Sequence, residues 1–111
     1  MSNQVIDMLN QLKEQMNASP KAIAHLDAQY AFQLKEGWQV YVCIEDERVS
    51  VSDALSEKQV DCTIILSEKD MLKLLSHQLN AAIAYMTGAI KVEGKIGPAS
   101  KLLDALNSYK N

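Results

Sequence analysis

Apolar residues follow two different periods along this chain, and the change of period separates helices from strands. Between residues 3 and 17, apolar side chains recur every three or four positions, which predicts an amphipathic helix. Ser19 followed by Pro20 is typical of a helix start, so a short helix is expected from there to about Leu26. The first segment therefore predicts two helices before any strand.

From Tyr30 the period becomes two, which is typical of strands with one buried face. Apolar residues alternate with smaller or polar ones over residues 30–34 and 38–44, and a turn containing Gly37 separates the two runs. This pattern predicts a β-hairpin. Residues 49–55 continue into a third strand, and residues 60–66, rich in isoleucine, valine and threonine, predict a fourth.

Helical spacing returns after the fourth predicted strand. Residues 67–70 resemble a capping box, and the helix they open is expected to carry a broad apolar face as far as Leu79. A second short helix, residues 80–86, ends at Gly88, a short strand follows at 89–93, and Pro98 opens the last helix. The order α-α-β-β-β-β-α-α-β-α predicts one α+β domain, a largely antiparallel sheet of about five strands with helices packed on one face.

Length and charge narrow the classes of function. A chain of 111 residues is expected to form a single domain. Its net charge is −3, and its 11 basic residues are scattered without a basic block. Nucleic-acid binding and attraction to an anionic membrane are therefore disfavoured. No run approaches the roughly 20 apolar residues of a membrane span, and the start lacks the features of a signal peptide, so a soluble, cytoplasmic protein is expected.

The residues with reactive side chains form no recognisable catalytic or metal site. Cys43 and Cys62 lie inside apolar runs and are expected to be buried free thiols, with a disulfide as the alternative. His25 and His77 are the only imidazoles, and nothing in their spacing pairs either one with a cysteine or serine. We therefore expect no catalytic residue, metal or cofactor; a small hydrolase is the least supported hypothesis.

Several motifs between Asp61 and Leu102 carry a family resemblance. These are Asp-Cys-Thr at 61–63, the serine-led helix start at 67–70, Ala-Tyr-Met-Thr-Gly at 84–88, Ile-Lys-Val-Glu-Gly at 90–94 and Lys-Leu at 101–102. In this pattern the chain resembles the sterol carrier protein type-two domain family, whose members bind sterols, fatty acyl chains or acyl-CoA. Two positions depart from the family: His77 stands where glycine is usual and Ala81 where proline is frequent.

The resemblance implies an apolar cavity between the sheet and the helices, which would hold a lipid or another long apolar ligand in a carrier or sensor. Helix and strand faces then predict the residues that line it: Trp38, Val40, Val42, Met71, Leu72, Leu75, Leu79, Ile83, Tyr85, Met86, Ile90, Leu102, Leu103 and Leu106. The alternative is a structural or protein-interaction module with a vestigial cavity. Tyr41 and Cys43, on the weaker face of the second strand, suggest that such a module would be a homodimer.

Overall fold

A computed structural model describes residues 3–52 and 60–106 of the chain. The elements in these ranges are the helix α1 (Asn3–Ala18), a short 3-10 helix (Pro20–Ile23), the strands β1 (Ala28–Leu34), β2 (Gln39–Glu45), β3 (Arg48–Ser52) and β4 (Cys62–Leu66), the helices α2 (Glu68–Leu75) and α3 (Ala81–Thr87), the strand β5 (Lys91–Gly94) and the helix α4 (Ile96–Leu106). This order confirms the one expected from the sequence. The part of the third predicted strand beyond Ser52 lies outside the described residues.

The five strands form one sheet in the order β3-β2-β1-β4-β5. Neighbouring strands are antiparallel except for β1 and β4, which are parallel, with Tyr30 opposite Cys62 and Phe32 opposite Ile64. The prediction of a largely antiparallel sheet is therefore confirmed. The β4 strand joins the free edge of β1, on the side away from β2, and runs in the same direction as β1.

The two faces of the sheet differ in character. The register places Phe32 beside Val40 and Ile64, and these three side chains are buried together with their neighbours on the same face. Residues of α1, α2 and α4 pack against this face. They leave a residual space of only about 10 Å³, about what a single water needs, among Leu9, Leu12, Lys13, Met16, Phe32, Val42, Val49, Val51, Leu75, Leu102 and Leu106.

Helix boundaries follow from capping groups close to those expected. The Ser67 hydroxyl accepts a hydrogen bond from the Asp70 N–H at 3.1 Å, so the predicted cap is confirmed. The α2 helix ends at Leu75 rather than at Leu79, because His77 has a φ of 62°, outside the helical region. The family usually has glycine at this position, the residue that adopts a positive φ at least cost.

Two further boundaries correct the sequence-based prediction. The helix expected from Pro20 to about Leu26 is a single 3-10 turn that ends at Ile23. The last helix begins at Ile96, two positions before Pro98. Proline is tolerated there because the first turn of a helix has N–H groups without helical partners, so the missing donor costs nothing.

Candidate ligand-binding site

A pocket of about 280 Å³ lies between α3, β5 and α4. The β5 strand contributes Val92 to its lining, and α4 contributes Ile96, Ala99, Ser100, Leu103 and Asp104. The helix α3 and the residue before it contribute Asn80, Ala81, Ala82, Tyr85 and Met86. Small side chains on both helices leave the room, while longer apolar ones form the walls. The pocket is open to solvent, since most of these residues are exposed.

Local interactions hold two of the three walls in place. The Asn80 side-chain oxygen accepts a hydrogen bond from the Ile83 N–H at 3.1 Å and opens α3, and Gly88 closes the helix with a φ of 85°. On the other wall, the buried Tyr30 hydroxyl donates to the Pro98 carbonyl at 3.0 Å and ties α4 to the central strand. Burial raises the pKa of the Tyr30 phenol, and the Cys62 and Asp61 charges add to the shift, so the hydroxyl remains a donor.

Exposed apolar side chains surround the mouth of the pocket. Met86 is 83% exposed, Ile96 55% and Tyr85 44%, and all three line the pocket. Ile83, 58% exposed, lies on α3 together with Tyr85 and Met86. Among the described residues these four are the large apolar side chains left in water, and three of them line one opening, which is typical of a ligand or interaction site.

The residues predicted to line a cavity fall into several environments. Three of them, Tyr85, Met86 and Leu103, line this pocket. Four others, Val42, Leu75, Leu102 and Leu106, surround the small residual space of the core. Val40, Met71 and Ile90 are buried in the core cluster, Trp38, Leu72 and Leu79 are half-buried against it, and Ile83 is exposed. An enclosed cavity lined by the whole set stays a prediction.

The lining predicted from the sequence did not include the small and polar residues of the pocket. Ala81, Ala82 and Ala99 provide its space, and Asn80, Ser100 and Asp104 contribute polar groups to its lining. A signal was present in the sequence, because the alanines of α3 and α4 leave room that leucines would fill. Ala81, where the family frequently has proline, is one of these residues.

A second opening, of about 650 Å³, lies between α1 and α2. Its lining is mostly polar and includes Glu36, Glu68, Lys69 and Lys73. Hydrocarbon placed there would remain against charged groups and water, so this groove is unsuited to a long apolar ligand.

The two cysteines are both free, and they differ in environment. Cys62 is buried, as expected, whereas Cys43 is only partly buried. The Cys43 sulfur accepts a hydrogen bond from the side-chain nitrogen Nε2 of Gln29 at 2.9 Å. Burial raises the pKa of the Cys62 thiol to about 11, and the neighbouring Asp61 carboxylate adds to the shift. A thiol with a raised pKa has little of the reactive thiolate near neutral pH.

We expect Cys62 to be alkylated at least about tenfold more slowly than Cys43 in the folded protein near pH 8, because its thiol is both buried and protonated. The measurement is a short pulse of N-ethylmaleimide followed by mass spectrometry of the two peptides. In denaturant the two rates should become similar. Equal labelling of both cysteines without denaturant would contradict the expectation.

Neither a metal site nor a membrane span is found in the described residues. No group of three or more histidine, cysteine, aspartate or glutamate side chains in residues 3–52 and 60–106 could hold a metal ion. No helix in the same ranges is long and apolar enough to cross a membrane.

Comparisons with known proteins identify the family. Residues 9–107 match the model of the SCP-2 sterol transfer family. The chain is 34% identical over 80 residues to sterol carrier protein 2 of Gallus gallus; the match covers 66% of this chain and 14% of that protein. The chain thus spans a small part of the length of that relative.

Solved structures have the same fold. The sterol carrier protein domain 2 of Helicoverpa armigera has a TM-score of 0.69 and 26% identity, covering 95% of this chain and 87% of that one. Palmitated SCP2L2 from Aedes aegypti has a TM-score of 0.72 and 19% identity, covering 100% and 99%. The family model matches nearly the whole length of the chain, and the solved structures of the family share its fold. The chain therefore belongs to the SCP-2 sterol transfer family.

Proposed function

We propose that this chain binds the hydrocarbon part of a lipid in the pocket between α3, β5 and α4, and acts as a carrier or sensor of that lipid. The observation that carries the proposal is the pocket whose mouth is surrounded by Tyr85, Met86 and Ile96, apolar side chains that are otherwise left in water. A ligand chain would cover them. Membership of a sterol transfer family and the palmitated state of the Aedes aegypti structure support a lipid as the ligand.

The volume of the pocket limits the ligand. An apolar cavity of about 150 Å³ binds benzene, so a pocket of about 280 Å³ suits roughly twice as many carbons, about twelve. A medium-length alkyl chain fits this space, whereas a whole sterol requires α3 to move away from α4. Twelve methylenes contribute roughly 10 kcal/mol of gross transfer free energy. After the cost of association, we expect dissociation constants of about 1–100 μM.

The proposed role involves no catalytic step. The described residues that line the pocket include no histidine and no cysteine, and the only hydroxyls are those of Ser100 and Tyr85. The Asp104 carboxylate is one helical turn from Ser100, but among the described residues no side chain makes a hydrogen bond to the Ser100 hydroxyl, so no base is paired with it as a nucleophile would require. This arrangement supports binding and release rather than bond cleavage.

Filling the pocket should abolish ligand binding without unfolding the protein. Ala82 lines the pocket and is exposed, so Ala82→Trp is expected to weaken dodecanol binding at least about tenfold with little change in Tm. Binding is measured by displacement of Nile red, a neutral dye that fluoresces in apolar surroundings. Ala18→Trp, at the exposed end of α1, is the matched control and should bind as the wild type does.

The proposal fails if the wild-type protein binds no alkyl chain of about 8–16 carbons below about 100 μM. Native mass spectrometry of gently purified protein provides an independent check, because a carrier purified from cells should retain some lipid. If Ala82→Trp and wild type bind dodecanol equally, the ligand lies elsewhere in the fold.

The alternative function is an interaction module that pairs through the other face of the sheet. On that face Tyr41, Thr63 and Ile65 are only half-buried, and the described helices that contact the sheet pack against the opposite side. Light scattering at high concentration tests this alternative: a monodisperse monomer would contradict it.

A further inference from the structure

We propose that the pocket prefers ligands with a hydrogen-bond-donating head group that is not anionic, such as a long-chain alcohol or amine, over ligands that end in a carboxylate or phosphate. The inference rests on the proposed function, because it concerns the head group of a chain bound in the same pocket. Asp104 is the residue that sets the preference.

Two polar side chains of the pocket form one edge of it, along α4. Ser100 and Asp104 are one helical turn apart on α4, so their side chains share a face, and both line the pocket. Asn80 lines it from the start of α3, with its side-chain oxygen already engaged by the Ile83 N–H. A ligand whose hydrocarbon lies against Leu103 and Val92 can therefore place its head group beside these polar side chains.

The charge at this edge is negative. Asp104 is the charged residue among the described lining residues, and it has no ion-pair partner within the parts of the chain that the structure describes. A carboxylate is an acceptor and cannot donate, so it favours a ligand hydroxyl or ammonium as its partner. A ligand carboxylate or phosphate would instead face a like charge.

Positive side chains near the pocket do not offset this charge. Lys101, Lys91 and Lys95 are exposed, but none of the three lines the pocket. The Lys95 ammonium is 3.3 Å from the Asp61 carboxylate, which engages it elsewhere. Sites that bind anions place arginine, lysine or a helix N-terminus against the anion. Here Asp104 lies in the C-terminal half of α4, and the N-terminus of the seven-residue α3 is already capped by the Asn80 side chain.

The test compares dodecanol with dodecanoate near pH 8, where the fatty acid is ionised in water. Because the alcohol is also the more apolar ligand, the deciding quantity is how a variant changes the ratio of the two dissociation constants. Asp104→Asn is expected to shift that ratio toward dodecanoate by about five- to tenfold, and Asp104→Lys by more, since the charges are partly solvated and interact moderately. The shift should shrink at high ionic strength.

Asp7→Asn is the matched control. Asp7 is exposed on α1, and its substitution changes the net charge by the same amount without touching the pocket. Its ratio should equal that of the wild type. An unchanged ratio in Asp104→Asn, or the same shift in Asp7→Asn, would overturn the inference while leaving the proposed function in place. If neither ligand binds the wild-type protein, the proposed function fails and the inference fails with it.

Discussion

Replacing Gly94 by alanine is expected to lower the free energy of unfolding by about 2–4 kcal/mol. Gly94 has a φ of +88°, a conformation that costs a residue with a Cβ about 1 kcal/mol or more. A Cβ built there would also lie 2.6 Å from the Asp61 carbonyl oxygen and 3.2 Å from the Cys62 Cα. Both atoms belong to the backbone, so neither can rotate away, and β5 would have to shift from β4.

Gly37→Ala separates the two contributions. Gly37 also has a positive φ, +106°, but an added Cβ would meet nothing within 4 Å. Its substitution should therefore cost only the conformational part, about 1 kcal/mol. Urea denaturation of the two variants measures the difference. A loss of stability in Gly94→Ala no larger than in Gly37→Ala would show that the sheet relaxes around the added carbon.

Asp61→Ala is expected to lower the free energy of unfolding by about 2–3 kcal/mol, because it removes a charged acceptor from a buried donor. One Asp61 carboxylate oxygen accepts from the Gln29 backbone N–H at 2.8 Å, and Gln29 is buried at the start of β1. The other lies 3.3 Å from the Lys95 ammonium. Without the carboxylate, the Gln29 N–H is left unsatisfied where the parallel strands begin.

Two further variants identify which bond matters. The Lys95 side chain is 70% exposed, so Lys95→Ala should cost at most about 1 kcal/mol, as is usual for a surface ion pair. Asp61→Asn retains an oxygen acceptor for Gln29 and should lie between the other two in stability. Thermal or urea denaturation ranks the three. If Lys95→Ala is as destabilising as Asp61→Ala, the ion pair, and not the bond to the backbone, is the main contribution.

Much of the fold could be predicted from the sequence because local chemistry determines it. The change of hydrophobic period located the helices and strands, and capping residues such as Ser67 and Gly88 located helix ends to within a few positions. The parallel pairing of β1 with β4 could not be predicted in the same way. Alternation shows which side chains of a strand are buried, but it does not show which edge of the sheet that strand joins.

The candidate site was harder to predict, because periodicity detects burial and not empty space. Leu102 and Leu103 are adjacent on α4, yet Leu102 fills the core and Leu103 lines the pocket. The space exists because the side chains of Ala82 and Ala99 are too small to fill it. The resemblance to the family did carry information of another kind: His77 adopts a φ of 62°, the backbone conformation suited to the glycine usual there.

The position of β1 in the middle of the sheet has a consequence for synthesis. Its partner β2 follows directly along the chain, but its other partner, β4, begins only at Cys62. A nascent chain that ends before this residue can pair β1, β2 and β3, yet leaves the N–H and C=O groups along the other edge of β1 without a strand. Unpaired edges of this kind recruit other chains. Ribosome-bound fragments of intermediate length are thus the species most exposed to aggregation.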